Sequence, residues 1–176
     1  MLWIMSVIQL TQTSYTVLGL VSLAGEATPY DLKQMAASSV GNFWSVPHSQ
    51  LYAEPDRLAK AGYLSITRER GGRRRKHYTL TSKGRDALES WVQSPTEGSI
   101  ELRDPGILKL FFGADPATLA ADQLEHHRRQ LKEYESLRET ADELTLEGPR
   151  LALEAGIGHE REYVRFWQKL RETRNQ

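Results

Sequence analysis

The chain has 176 residues, room for one domain or two small ones, and 39% of them are apolar, which fills a core and excludes wholesale disorder. It lacks cysteine, so disulfide frameworks and thiolate metal sites are excluded, and no apolar run approaches the roughly 18 residues of a membrane span. The net charge is zero but unevenly placed: residues 1–85 carry 11 Lys/Arg against 5 Asp/Glu and residues 86–176 carry 12 against 18, the pattern of a polyanion-binding module joined to something else.

The start, "MLWIMSVIQLTQ", is apolar but has neither a basic region nor a small-residue cleavage site. It reads as an N-terminal extension over 1–13, not as a signal peptide. "SYTVLGLVSLAG" (Ser14–Gly25) is apolar nearly all round, which predicts a buried helix stopped by Gly25. A second helix follows, with Thr28 as N-cap, Pro29 at the first helical position, Asp31 against the positive helix end, and Leu32, Met35 and Ala36 facing a core.

A third helix is predicted from about Pro47 to Ala61, with Ser45 as cap, Leu51 and Leu58 on its apolar face, and Gly62 as the residue that ends it. Gln50, Glu54, Arg57 and Lys60 fall on its other faces. Pro55 predicts a bend, or a short helix followed by another that starts at Pro55-Asp56.

Leu64 and Ile66, then Tyr78 and Leu80, alternate with polar residues on either side of Gly71-Gly72, so the spacing predicts a β-hairpin with a glycine turn. Six of the nine residues from Arg68 to Lys76 are basic. A fourth helix follows, capped by Thr81 or Ser82, and Ser94–Gly106 is turn-rich. Beyond it come a short apolar helix, "ILKLFFG", and two long ones. The first, Ala117–Leu146, carries Tyr134, Leu137, Ala141 and Leu144 in a coiled-coil-like seam. The second, Arg150–Thr173, is separated from it by Gly148-Pro149 and carries a stripe of Leu153, Ile157, Val164, Trp167 and Leu170. Gly156 and Gly158 permit close approach of a partner helix. These stripes need burial, and a second chain is the expected partner.

The fold class is therefore mainly α with a small β-hairpin. A winged helix-turn-helix domain occupies 14–93, a linker and short helix 94–116, and a helical dimerisation domain 117–176. Such parts suit duplex DNA. The third helix lies in a major groove, the second brings its N-terminal amides to a phosphate, and the hairpin sets Arg70, Arg73, Arg74, Arg75 and Lys76 against the backbone or a minor groove. Gln50 reads a base edge, adenine being one option, or else faces solvent. His48 and Ser49 cap the helix or meet phosphate, Tyr52 meets phosphate or packs, and Lys33 meets phosphate or is surface. His126-His127 point about 100° apart on a helix and do not chelate one ion, so no metal is expected. Neither a P-loop nor GxGxxG, GxSxG, HExxH or CxxC occurs, so no enzyme and no cofactor are expected.

"SYTVLGLVSLAGEATPYDLKQ", "FWSVPHSQLYAEPDRLAKAGYL", "YTLTSKGRDAL" with "LRDPGILKLFF", and "EAGIGHEREYVRFWQKL" together resemble the PadR-like transcriptional regulators, over about residues 14 to 173. The long C-terminal part resembles the larger subclass, in which a helical domain builds the dimer. The resemblance implies a cytoplasmic, homodimeric, DNA-binding regulator, often a repressor released by a small aromatic or lipophilic compound. His48, Ser49, Gln50 and Tyr52 match the start of the family's recognition helix, and Arg73 to Lys76 match its wing. Pro55 departs from the pattern, where a leucine is common. Trp44, Trp91, Phe111, Tyr134, Tyr163 and Trp167 are candidates for an effector pocket between the domains, with ordinary core and dimer interface as the plainer reading of each. The alternative function is a winged-helix protein-interaction module, or a nonspecific DNA binder without ligand gating.

Overall fold

The computed structural model describes residues 8–69, 71, 74–96, 102–141 and 146–173. It forms two compact units, Met1–Glu97 and Gly98–Gln176. The first contains α1 (Gln12–Ala24), α2 (Pro29–Ser38), a 3-10 turn (Val40–Asn42), α3 (His48–Lys60), β1 (Leu64–Arg68), β2 (Lys76–Leu80) and α4 (Ser82–Gln93).

α1 begins before the predicted Ser14. Thr11 is the N-cap, and the Thr11 and Ser14 hydroxyls each accept from the other's backbone amide, a capping box that uses serine at its third position. Val17, Leu18 and Val21 are fully buried, but Ser22 and Leu23 are exposed, so the helix is apolar nearly all round yet not buried all round. Gly25 ends it at φ 74 as predicted.

α2 follows the prediction, with Thr28 as N-cap and Pro29 and Asp31 in its first turn. α3 corrects it twice. Its N-cap is Pro47, not Ser45, and no side chain caps that end. One helix also runs through Pro55, so the predicted break into two helices does not occur. Pro55 is buried beside Leu51 and Leu58 at i, i+4 and i+7 spacing. An interior proline costs about 3 kcal/mol. Full burial of each leucine gains about 1.5–3 kcal/mol, which is enough to hold the helix on the core. At the far end Gly62 adopts φ 82, and the Tyr63 amide reaches back to the Leu58 carbonyl at 2.9 Å, a Schellman closure.

β1 and β2 pair antiparallel from Leu64↔Leu80 to Arg68↔Lys76. The Glu69 amide donates to the Arg75 carbonyl, so the connection is longer than the two-glycine turn predicted. Gly72 lies outside the described residues. Tyr78 is buried and exchanges both backbone hydrogen bonds with Ala27, which ties the hairpin to the segment entering α2. Thr81, one of the two predicted caps, starts α4.

The second unit contains α5 (Pro105–Phe111), α6 (Pro116–Ala141) and α7 (Glu147–Thr173). α6 is described as far as Ala141, and residues 142–145, Leu144 among them, lie outside the described residues. Gly148 and Pro149 do not separate the long helices. They sit in the first turn of α7, where a missing amide hydrogen costs little. α6 and α7 form an antiparallel hairpin: Tyr134 packs near Gly156, His127 meets Glu160, and Ala120, Leu124 and Trp167 form a buried cluster. Of the described stripe residues, Tyr134, Ile157 and Trp167 are buried within the hairpin, Leu153, Val164 and Leu170 are half-buried, and Leu137 is exposed. Gly156 does permit close approach, since a Cβ there would lie 3.1 Å from the Tyr134 ring, whereas Gly158 has open space around it. Among the described residues no helix is long and apolar enough to cross a membrane.

Candidate nucleic-acid interface

The exposed side of the first unit gathers the first turns of α3, the N-terminus of α2 and the base of the hairpin. His48, Ser49, Gln50 and Tyr52 are all exposed on α3, and Pro47 leaves its leading amides without a side-chain cap. A cavity of about 420 Å³ lies beside them, lined by Thr28, Pro29, Tyr30, Tyr52, Arg75 and Lys76. Two phenol rings and the Arg75 guanidinium around an open cavity suit a sugar-phosphate segment, whereas the Lys76 ammonium there is paired with Asp56.

The α2 terminus differs from the expectation of free amides aimed at a phosphate. The Asp31 amide donates to the Thr28 hydroxyl, Pro29 has no amide hydrogen, and the Asp31 carboxylate accepts from the Thr28 amide at 2.9 Å and hydroxyl at 2.8 Å. Those two bonds, the backbone one first, hold the Asp31 carboxyl below its ordinary range. Its negative charge occupies the site a phosphate would use. Lys33 is half-buried on the same helix.

Gln50 is not free. The Thr13 hydroxyl at the start of α1 donates to its Oε1 at 2.9 Å. Below it, Ser14 donates to Glu54 at 2.7 Å, and Arg57 donates to Glu54 at 2.6 and 2.8 Å and to the Ser14 hydroxyl at 2.9 Å. Burial pushes the Glu54 carboxyl up, but the Arg57 guanidinium and the Ser14 hydroxyl outweigh it and hold it below the usual range. Glu54 and Arg57 therefore join α3 to α1 instead of facing solvent. An i, i+3 acid–base pair in the sequence is a signal for the first half of that network.

The hairpin carries its cations unequally. Arg74 and Arg75 are exposed, and Arg74 adopts φ 48, a left-handed conformation that costs a side-chain-bearing residue roughly 1–2 kcal/mol. Arg70 and Arg73 lie outside the described residues. Lys76 instead donates to Asp56 of α3, at 2.8 Å to Oδ1 and 2.6 Å to Oδ2. The Tyr78 hydroxyl donates to the same Oδ1 at 2.7 Å. The Lys76 and Tyr78 bonds lower the Asp56 carboxyl, while burial, and then Asp56, push the Tyr78 phenol up. His77 lies between Glu26, at 3.0 Å, and Glu69, at 3.2 Å. Asp56, Thr13 and His77 were not singled out from the sequence. Asp56 and Lys76 are 20 residues apart, and only the fold brings them together.

The six effector candidates divide between the units. Trp44 is exposed after the 3-10 turn, and Trp91 stacks on Tyr15 with ring centroids 4.8 Å apart. In the second unit Phe111 is 82% exposed, Tyr134 and Trp167 are buried, and Tyr163 packs on His127 and His159 at 4.7 and 4.5 Å. His127 Nδ1 meets Glu160 at 2.7 Å, but His127 Nε2 and Trp167 Nε1 are buried without partners. Among the described residues no group of three or more His, Asp or Glu is placed to hold a metal ion.

The chain is similar to known proteins along most of its length. The profile of the transcriptional regulator PadR-like family matches residues 17–90, and that of the virulence activator alpha C-terminal region matches residues 102–173. The negative transcriptional regulator PadR of Bacillus subtilis is 28% identical over 171 residues, covering 89% of this chain and 93% of that protein. A crystal structure of Bacillus subtilis PadR in complex with operator DNA superposes with a TM-score of 0.80 at 26% identity, over 91% of this chain and 97% of that one. A second, in complex with p-coumaric acid, gives a TM-score of 0.74 at 26% identity, over 93% of this chain and 98% of that one.

Proposed function

Because the chain belongs to the transcriptional regulator PadR-like family through residues 17–90, with the virulence activator alpha C-terminal region after it, we propose that it is a homodimeric repressor whose hold on an operator is released by a small aromatic or lipophilic effector. DNA binding and transcription regulation are the family's work. The finer reading rests chiefly on one observation: the exposed row His48, Ser49, Gln50 and Tyr52 on an uncapped helix end, beside a cavity that also holds Arg75.

In this mechanism α3 enters the major groove. Gln50 meets a base edge, and His48, Ser49, Tyr52 and Lys33 meet the backbone. Arg74 and Arg75, with Arg70 and Arg73 of the same loop, supply cations to the phosphates. Two copies read a two-fold-symmetric site in the cytoplasm, where the DNA is. Leu137, Leu151 and Phe166 remain exposed on the outside of the α6–α7 hairpin and supply apolar surface for the second copy.

The p-coumaric acid complex of Bacillus subtilis PadR supports a phenolic effector. In this chain His127 Nε2 and Trp167 Nε1 are unpartnered polar handles, with Tyr163 packed on the His127 ring. An effector that prefers a dimer with differently spaced recognition helices would shift the population away from the DNA-bound state. A few kcal/mol of differential affinity suffices. A thermal-shift screen of phenolic acids, followed by titration into the protein–DNA complex, tests the gating. A compound that raises the melting temperature and releases DNA is expected. Ligands that bind without releasing DNA would refute gating, and binding equally tight to random and promoter DNA would favour the nonspecific binder.

A further inference from the structure

Among the described Lys and Arg residues of the hairpin, Lys76 is the one whose charge is paired with a carboxylate on α3. Its ammonium lies against both carboxylate oxygens of Asp56, one turn beyond Tyr52 on α3. That carboxylate is itself anchored. Tyr78 donates to it from a ring that is 1% exposed, and the Tyr78 backbone is bonded in both directions to Ala27. Asp56 therefore cannot follow Lys76 outward without breaking the bond from Tyr78. A phosphate approaching Lys76 meets the carboxylate charge as well.

We propose that Asp56 is a specificity-determining positioning residue: it holds Lys76 on the recognition helix, fixes the root of the wing to α3, and withholds one cation per protomer from the DNA backbone. The inference rests on the DNA-binding reading above. Sequence-independent affinity grows with the number of phosphates neutralised, whereas base readout depends on the angle between α3 and the wing. An acidic residue that removes a cation and sets that angle lowers binding to random DNA while leaving the reading face intact. The ratio between specific and random sites rises as a result.

The test is the salt dependence of binding to a random duplex, for the full-length wild type, Asp56→Asn, Lys76→Met and the double variant. Asparagine keeps an acceptor for Tyr78 and removes the charge. Each freed cation adds about 0.9 to the slope of log K against log salt, so on going from 200 to 50 mM salt an Asp56→Asn protomer gains about 3.5-fold more in random-DNA affinity than the wild type does. The double variant should return to the wild-type slope, and Lys76→Met alone should leave it unchanged. A merely structural role for Asp56 would lower affinity without steepening the slope, and that result overturns the proposal. So does a slope that falls by about 0.9 in Lys76→Met alone, because Lys76 would then already neutralise a phosphate. This second variant decides the matter even if Asp56→Asn fails to fold. A wild type that binds no duplex at any salt would instead refute the DNA-binding reading itself.

Discussion

Replacing Gly84 by alanine sets helix propensity against packing, and the geometry decides which wins. Gly84 is the third residue of α4 and is buried. Alanine there would favour the helix by about 1 kcal/mol. Its Cβ, however, would lie 2.1 Å from the Tyr63 carbonyl oxygen and 3.1 Å from the Leu80 side chain. That carbonyl is held in place: it accepts from the Thr81 amide at 3.2 Å and hydroxyl at 3.0 Å, and the Tyr63 amide closes α3. Relief needs a shift of about 1 Å that gives up those two bonds, at about 1 kcal/mol each, and the Thr81 cap, at about 1 kcal/mol more. The expected net loss is about 2 kcal/mol. For a unit of about 100 residues that is a fall in Tm of roughly 8–16 °C, read by circular dichroism melting of the full chain. Gly19→Ala in α1, where nothing lies within 4 Å of the added carbon, is the control and should raise Tm slightly. A Gly84→Ala protein that melts with or above the wild type would refute the reasoning.

In the second unit, Glu160→Leu should destabilise by about 1–3 kcal/mol, because it leaves His127 Nδ1 without its hydrogen-bond partner in the core. His127→Leu/Glu160→Leu together should cost far less, and urea unfolding of single and double variants separates the two. The lowered Asp31, Glu54 and Asp56 carboxyls contribute stability that is present above about pH 4 and lost as pH falls below their folded values. The raised Tyr78 phenol contributes below about pH 10 and is lost as pH climbs past it, since only the unfolded chain ionises there. Urea midpoints against pH should therefore plateau between these limits, and Tyr78→Phe should flatten the alkaline limb and, because it removes one of the bonds that lower Asp56, also weaken part of the acid limb. On DNA, Arg75→Ala should weaken promoter and random duplexes alike. Gln50→Ala should relax preference at one base step by about 1–3 kcal/mol, read by selection from a randomised pool. An unchanged preferred sequence would put the reading face elsewhere.

The order of elements was legible because it is written in local signals. Thr28-Pro29, Gly62 and the alternation around Tyr78 each act within a few residues. The failures have two causes, one tertiary and one a local signal misassigned. Pro55 carries a local penalty that only the tertiary burial of Leu51, Pro55 and Leu58 overrides. α1 starts early because Ser14, read as the first helical residue, serves as the third residue of a capping box. At the candidate interface the exposed residues of α3 were legible from their helix position. What restrains them was not. Thr13 lies 37 residues from Gln50, and Asp56 lies 20 from Lys76. Charge in the sequence says how many cations a loop carries, not which of them are already paired.

The bond from Thr13 to Gln50 has a further consequence. A glutamine side chain loses up to about 1.5–2 kcal/mol of rotamer entropy when it is immobilised. Here part of that loss falls on folding and not on the encounter with DNA. A base edge that engages Gln50 exchanges one hydrogen bond for another, so a matching base gains little net energy, whereas a mismatched one leaves an amide and a base edge both unsatisfied. Gln50 would then act as a filter more than as an anchor. In the free protein its side-chain amide protons should already stand apart from those of the mobile glutamines in an NMR spectrum.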